Sequence, residues 1–175
     1  SGGTVSTGTN TGTININGKE SLGVYNAGTF GMSSGTITSA GKNSIGVYSN
    51  GIQTDQNGYM KIGDSGTGIY KSTGILNVGS TSVTNLGQNS SVGFYAVNGA
   101  VINIANGAQI NSAAGSFVTI LEDGGSSLNN NAAINLNGSG IFVYSTSGGN
   151  VTNTGVINMT GNDNLGFYKK NGGDI

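Results

Sequence analysis

The side chains able to do chemistry in this chain are few, and the missing types narrow its function first. There is no His and no Cys, which excludes Ser–His and Cys–His nucleophile pairs, disulfides and thiolate metal sites. Paired carboxylates that hydrolyse polysaccharides would have to come from Asp55, Asp64, Glu122, Asp123 or Asp163. Asp55 and Asp64 share one sequence repeat and the others lie two or more repeats further on, near or beyond the separation such pairs use. With no Arg, only Lys could stabilise an anionic sugar or enolate. A polysaccharide-degrading enzyme is therefore the minor alternative, and the chain is read as non-catalytic. A calcium site needs roughly six to eight oxygens from a defined loop. Gly172–Ile175 reads GGDI, only a fragment of the calcium-binding nonapeptide GGxGxDxUx, so neither metal nor cofactor is expected.

Non-covalent recognition has more to work with, because aromatic and amide side chains recur in columns. The motif that carries them is SLGVYNAG at 21–28, SIGVYSNG at 44–51, SVGFYAVNG at 91–99 and NLGFYKKNG at 164–172. Weaker copies are TGIYKSTG at 67–74 and GIFVYSTSG at 140–148, with a degenerate one, GSFVTILEDG, at 115–124. Seven copies about 24 residues apart are the mark of a solenoid, each repeat one coil stacked on its neighbours.

Three apolar columns recur in each period with the alternation of half-buried strands. The first flanks the motif glycine: Leu22/Val24, Ile45/Val47, Thr67/Ile69, Val92/Phe94, Gly115/Phe117, Ile141/Val143 and Leu165/Phe167. The second lies earlier: Ile14/Ile16, Ile37/Ser39, Met60/Ile62, Thr84/Leu86, Ala108/Ile110, Ile134/Leu136 and Ile157/Met159. A weaker third runs Val5, Phe30, Ile52, Ile75, Val101, Leu128 and Val151. Three short strands joined by Gly-, Asn- and Ser-rich corners make one coil of an all-β, right-handed parallel β-helix of about seven coils. Seven coils predict a rod roughly 34 Å long. The absence of Pro agrees, since ladder strands need every N–H. The motif glycines are followed at 116 and 142 by Ser and Phe, giving spacings of 23, 22, 25, 23, 26 and 24. Extra residues are expected to loop out at corners, above all at Leu121–Asn131.

Charge is sparse, with six Lys, seven acidic residues and a net of −1. That leaves no basic footprint for nucleic acid and no polybasic or amphipathic membrane segment. No run approaches the ~18 apolar residues of a membrane-spanning helix, and no signal peptide is recognised, so this segment is not expected to insert into a membrane.

With the copies SLGVYNAG, SIGVYSNG and NLGFYKKNG laid out, the chain resembles passenger domains of type V autotransporters. It is most similar to the large fusobacterial outer-membrane adhesins, whose passengers carry coils of the type G-x-I-x-x-x-G-x-x-S-x-G-[VF]-Y. GTININGKESLGVY at 12–25, GTITSAGKNSIGVY at 35–48 and GVINMTGNDNLGFY at 155–168 carry the likeness; the coil at 99–124 departs most from it. The resemblance implies a β-helix exposed at the cell surface, held to the outer membrane by a C-terminal barrel outside this sequence. It further implies attachment to host cells or other bacteria. Residues 1–175 are expected to be one β-helix segment, a fragment of a longer passenger.

Partners on this reading are host-cell or bacterial surface glycans or proteins. The Tyr column (Tyr25, Tyr48, Tyr70, Tyr95, Tyr144 and Tyr168) is expected to point outward beside a groove floored by Gly, as a face for stacking sugars or as a self-stacking ladder. The Lys column (Lys19, Lys42, Lys169 and Lys170) is either a contact for acidic partners or a solvated face. Asn15, Asn103, Asn135 and Asn158 are either sugar ligands or stacked ladders. The binding residues singled out are Tyr95, Tyr144, Tyr168, Glu122, Asp123, Asn129, Lys169 and Lys170. Two roles stay open, a binding module and a rigid spacer presenting a distal binding region. A trimeric adhesin head has repeats of about 14 residues, too short for this period. The segment is expected to be a monomer, with end-to-end association possible where rod ends are open.

Overall fold

The computed structural model describes residues 7–172. Among them there are only strands and turns, arranged as seven coils of three strands each. The first sheet stacks β1 (Thr7–Asn10), β4 (Thr29–Met32), β7 (Ile52–Gln56), β10 (Ile75–Val78), β13 (Val101–Ile104), β16 (Ser127–Asn130) and β19 (Asn150–Asn153). The second stacks β2 (Thr13–Ile16), β5 (Thr36–Ser39), β8 (Tyr59–Ile62), β11 (Val83–Asn85), β14 (Gln109–Asn111), β17 (Ala133–Asn137) and β20 (Ile157–Thr160). The third stacks β3 (Leu22–Asn26), β6 (Ile45–Ser49), β9 (Thr67–Lys71), β12 (Val92–Ala96), β15 (Phe117–Leu121), β18 (Ile141–Ser145) and β21 (Leu165–Lys169). Every pairing is parallel and joins a strand to its counterpart one coil away, as in Leu22↔Ile45 and Ile45↔Thr67. This is a β-solenoid. Several corner residues, among them Asn43, Ser65, Asn89 and Asp163, take positive φ, which short polar side chains tolerate better than bulky ones.

The third sheet is turned differently from the expectation that Leu22 and Val24 face in and the glycine out. Val47, Ile69, Val92, Phe94 and Val143 are buried as expected, but Ile45 and Ile141 are only half-buried and Leu22 is exposed. The glycine between them faces the core. A Cβ on Gly46 would lie 2.7 Å from the Gly68 carbonyl and 3.0 Å from Met60 Cε; on Gly23 it would lie 2.4 Å from Ile16 Cδ1. Glycine is needed because side chains of the second sheet already fill that space. No glycine-floored groove therefore runs beside the tyrosines.

In the fifth coil the register corrects the alignment by two residues. Phe117 and Thr119, not Gly115 and Phe117, pair with Val92 and Phe94, and Ile110, not Ala108, continues Thr84. Val118 thus takes the glycine position, and the third-sheet spacing becomes 23, 22, 25, 25, 24 and 24. Fully buried Val118 fits because Ser112 stands where the fourth coil has Leu86. The expected loop at Leu121–Asn131 also disappears. Leu121 is buried at the end of β15, Ser127–Asn130 forms β16, and only the corner between them turns. In the first sheet, Phe30, Gln53, Leu76, Ile102 and Leu128 share the inward register, so Ile52, Ile75 and Val101 lie one residue off it and face outward. Val5 of that column lies outside the described residues.

One strand breaks the repeat. β7 has five residues where β4 and β10 have four, and its register shifts against both neighbours between Gln53 and Gln56. That is a β-bulge, an extra residue on one strand that re-aims the local side chains.

Candidate functional site

The tyrosine column is a stacked ladder on the outside of the third sheet. Parallel pairing aligns Tyr25, Tyr48, Tyr70 and Tyr95, and their ring centroids lie 5.5, 5.1 and 5.0 Å apart with interplanar angles of 10° or less. Ile120 occupies the next step, and the stack resumes with Tyr144 and Tyr168 at 4.7 Å. Phe117 meets Tyr144 edge-on at 5.6 Å. Rings stacked this way spend their faces on one another and offer solvent their edges and hydroxyls. Open faces remain only at the ends of each stack. Tyr25, at one such end, is 62% exposed.

Tyr95 sits at the step before the break. Burial, then a side-chain hydrogen bond to Glu122, then the charges of Glu122 and Tyr70 raise its phenol well above the ordinary value. Tyr70 is raised as well, by burial first and then by Glu122 and Tyr48. Both phenols are therefore neutral donors over the whole physiological range.

Asp123 is a corner tie. Its carboxylate accepts backbone N–H groups from Asn98, Gly99 (3.3 Å), Gly125 (3.0 Å) and Ser126 (2.8 Å), and the Ser126 hydroxyl at 3.0 Å. Burial opposes its ionisation, but the bonds from Ser126, Gly99 and Asn98 together outweigh that and hold its carboxyl below the usual range. Asp64 ties another corner, accepting hydrogen bonds from Gln88 N at 2.9 Å and Asn89 Nδ2 at 3.2 Å. No family profile, curated protein or solved structure matches this chain. Its own geometry must therefore say what these faces can do.

Asn129 belongs to an amide ladder, donating to Asn103 Oδ1 at 2.8 Å, while Asn103 donates to Asn77 Oδ1 at 2.9 Å. A second ladder on the second sheet runs from Asn158 through Asn135 and Asn111 to Asn85, whose Nδ2 meets the Tyr59 hydroxyl at 3.0 Å. Asn103 thus lies in the first sheet rather than the second, and Asn15 pairs in register with Thr38. Lys169 is not an open-face lysine, because its ammonium is buried without a hydrogen-bond partner; Lys170 is exposed. Tyr95 and Glu122 meet, and Tyr144 and Tyr168 meet. Asp123, Asn129 and Lys170 do not converge with either pair on one site.

Sequence reasoning missed Lys71. It ends β9 at the inward register position held by Ser49 and Ala96, and it is completely buried. Its ammonium donates to Ser49 Oγ at 3.2 Å and to the Gly51 carbonyl, and burial lowers its pKa. Alternation from Tyr70 points the next residue inward, a signal obscured by the habit of placing Lys outside. No cluster of three or more acidic, His or Cys side chains suited to a metal ion occurs among the described residues.

Proposed function

We propose that this chain is part of the passenger of a bacterial autotransporter adhesin, displayed at the cell surface, and that it acts without catalysis as a surface for attachment to host cells or other bacteria. One observation carries this reading. The solvent faces repeat neutral hydrogen-bonding groups at coil spacing, phenols on the third sheet and amides on the first and second, while Asp64 and Asp123 are tied into corners. Such faces recognise by many weak contacts in a row rather than by one reactive centre. The likeness of the coil wording to fusobacterial adhesins supports the same reading.

The spacer role is the second reading, and the closed tyrosine stack favours it for coils one to four, where ring faces are engaged with each other. The test is adherence of the purified folded chain to host epithelial cells and to partner bacteria. Saturable binding supports attachment by this segment. A folded chain that binds neither leaves the shaft.

A further inference from the structure

The bulge in β7 has a consequence on the outer face of the first sheet. There the surface sinks into a cleft of about 660 Å³ lined by Thr9, Ile52, Asp55, Asn57, Ile75 and Asn77, among others. A neighbouring hollow of about 490 Å³ shares Asp55, Asn57 and Asn77, so the depression continues along the rod. Ile52 and Ile75 are 65% and 52% exposed, the most exposed aliphatic pair in the middle of the rod. Beneath them Gln53 and Gln56 are buried, and neither Gln53 amide atom finds a hydrogen-bond partner. A bulge beside buried amide groups that stay unpaired is destabilising. Proteins tend to break such local rules at functional sites and to offset the cost elsewhere.

The polar groups of the cleft are matched in kind. Asn129 donates to Asn103 and Asn103 to Asn77, so the amide ladder is polarised toward the bulge and ends in the Nδ2 group of Asn77. Donors at the end of such a chain are strengthened by the bonds behind them. Register places Asn77 between Leu76 and Val78, whose partners Gln53 and Gln56 bracket the bulge carrying Asp55. Asp55 is exposed and meets no cation among the described residues. A polarised amide donor, a carboxylate acceptor and two aliphatic side chains thus surround one concavity whose lining includes no Lys.

We propose that this cleft binds a neutral oligosaccharide. Vicinal hydroxyls donate to Asp55 and accept from Asn77, while the C–H face of a sugar ring lies on Ile52 and Ile75. Acidic glycans are disfavoured by the lone carboxylate. This inference rests on the attachment reading and names its ligand class.

The experiment is calorimetric and NMR titration of the folded chain with neutral probes (a chitotetraose and a lacto-N-tetraose), sialyllactose as the acidic arm and a lysine-rich peptide as the cationic arm. Wild type, Asp55→Ala, Asn77→Ala and Ile75→Arg are compared, the last at an exposed position where folding is undisturbed. The expected result is saturable binding of a neutral probe, shift changes confined to coils one to four, and a loss of about tenfold or more in each variant. The proposal is overturned by no neutral binding, by preference for the acidic or cationic probe, or by neutral binding that all three variants retain. Cell attachment that survives Ile75→Arg would sink the cleft while leaving the adhesin reading intact.

Discussion

Replacing Lys71 by Met should stabilise the protein. The two side chains have similar length and volume, and Lys71 is completely buried with no carboxylate among its hydrogen-bond partners. Exchanging even a buried ion pair for apolar residues of like volume is often neutral or gains about 1–4 kcal/mol, and the Lys71 ammonium has no carboxylate to lose. Part of that is returned, because the Gly51 carbonyl would keep only the Ser49 hydroxyl at 3.4 Å, a loss of about 1 kcal/mol. Gly51 is half-buried, so the ammonium lies one carbonyl below the surface and the low end of the range applies. The net gain is then up to about 1 kcal/mol, which should raise Tm by up to roughly 2–4 °C at this chain length. The pH dependence separates this account from a generic packing effect. Burial lowers the Lys71 pKa from its ordinary 10.5, so the unfolded chain holds that proton more tightly than the folded one. Stability of the parent therefore rises with pH between the lowered value and 10.5, and the advantage of Lys71→Met shrinks across that window. Circular dichroism melts of both proteins from neutral to alkaline pH test this, since the titrations of all other groups cancel in the difference. A lower Tm for Lys71→Met at neutral pH, or a difference that does not change with pH, would refute the reasoning.

Three further outcomes are expected. Gly46→Ala should lose about 1–3 kcal/mol in thermal melts, because its methyl would meet the Gly68 carbonyl at 2.7 Å. Asp123→Ala should lose about 1–2 kcal/mol at neutral pH. The parent's extra stability is present above the ordinary carboxyl value of 3.8 and fades as pH falls through the lowered one, so acid melts of parent and variant should converge. Glu122→Gln should lower the pKa of the last phenol to ionise in an ultraviolet absorbance titration, since burial of Tyr95 remains but the carboxylate is gone.

The coil repeat, the three strands per coil and the parallel stacking were legible because each strand's apolar period survives in most copies. Orientation within the third strand was not. Gly46 and Val47 are both buried in succession, a departure from strict alternation that a period-two reading assigns to opposite faces. The fifth coil was misaligned because Val118 and Ile120 erase the Gly and Tyr that anchor the motif elsewhere, leaving Phe117 free to be matched two residues early. Asp123 was singled out as a ligand because it is one of few charges, whereas its bonds to Asn98 and Gly99 come from the preceding coil and are invisible in a linear reading. The bulge in β7 escaped for a similar reason, since one extra residue between Ile52 and Gln56 is noticed only when both neighbouring strands are laid beside it.

The direction of the inter-coil hydrogen bonds bears on mechanics. Bonds such as Ile45 N to Ser21 O at 2.9 Å and Thr67 N to Ser44 O at 2.9 Å join one coil to the next, so they lie along the rod rather than across it. A pull on the two ends loads them in tension, and the outermost coil peels first while those behind it stay closed. Each coil freed would release about 80 Å of extended chain at the usual reach per residue. Under load, a filament built this way lengthens in steps before it parts.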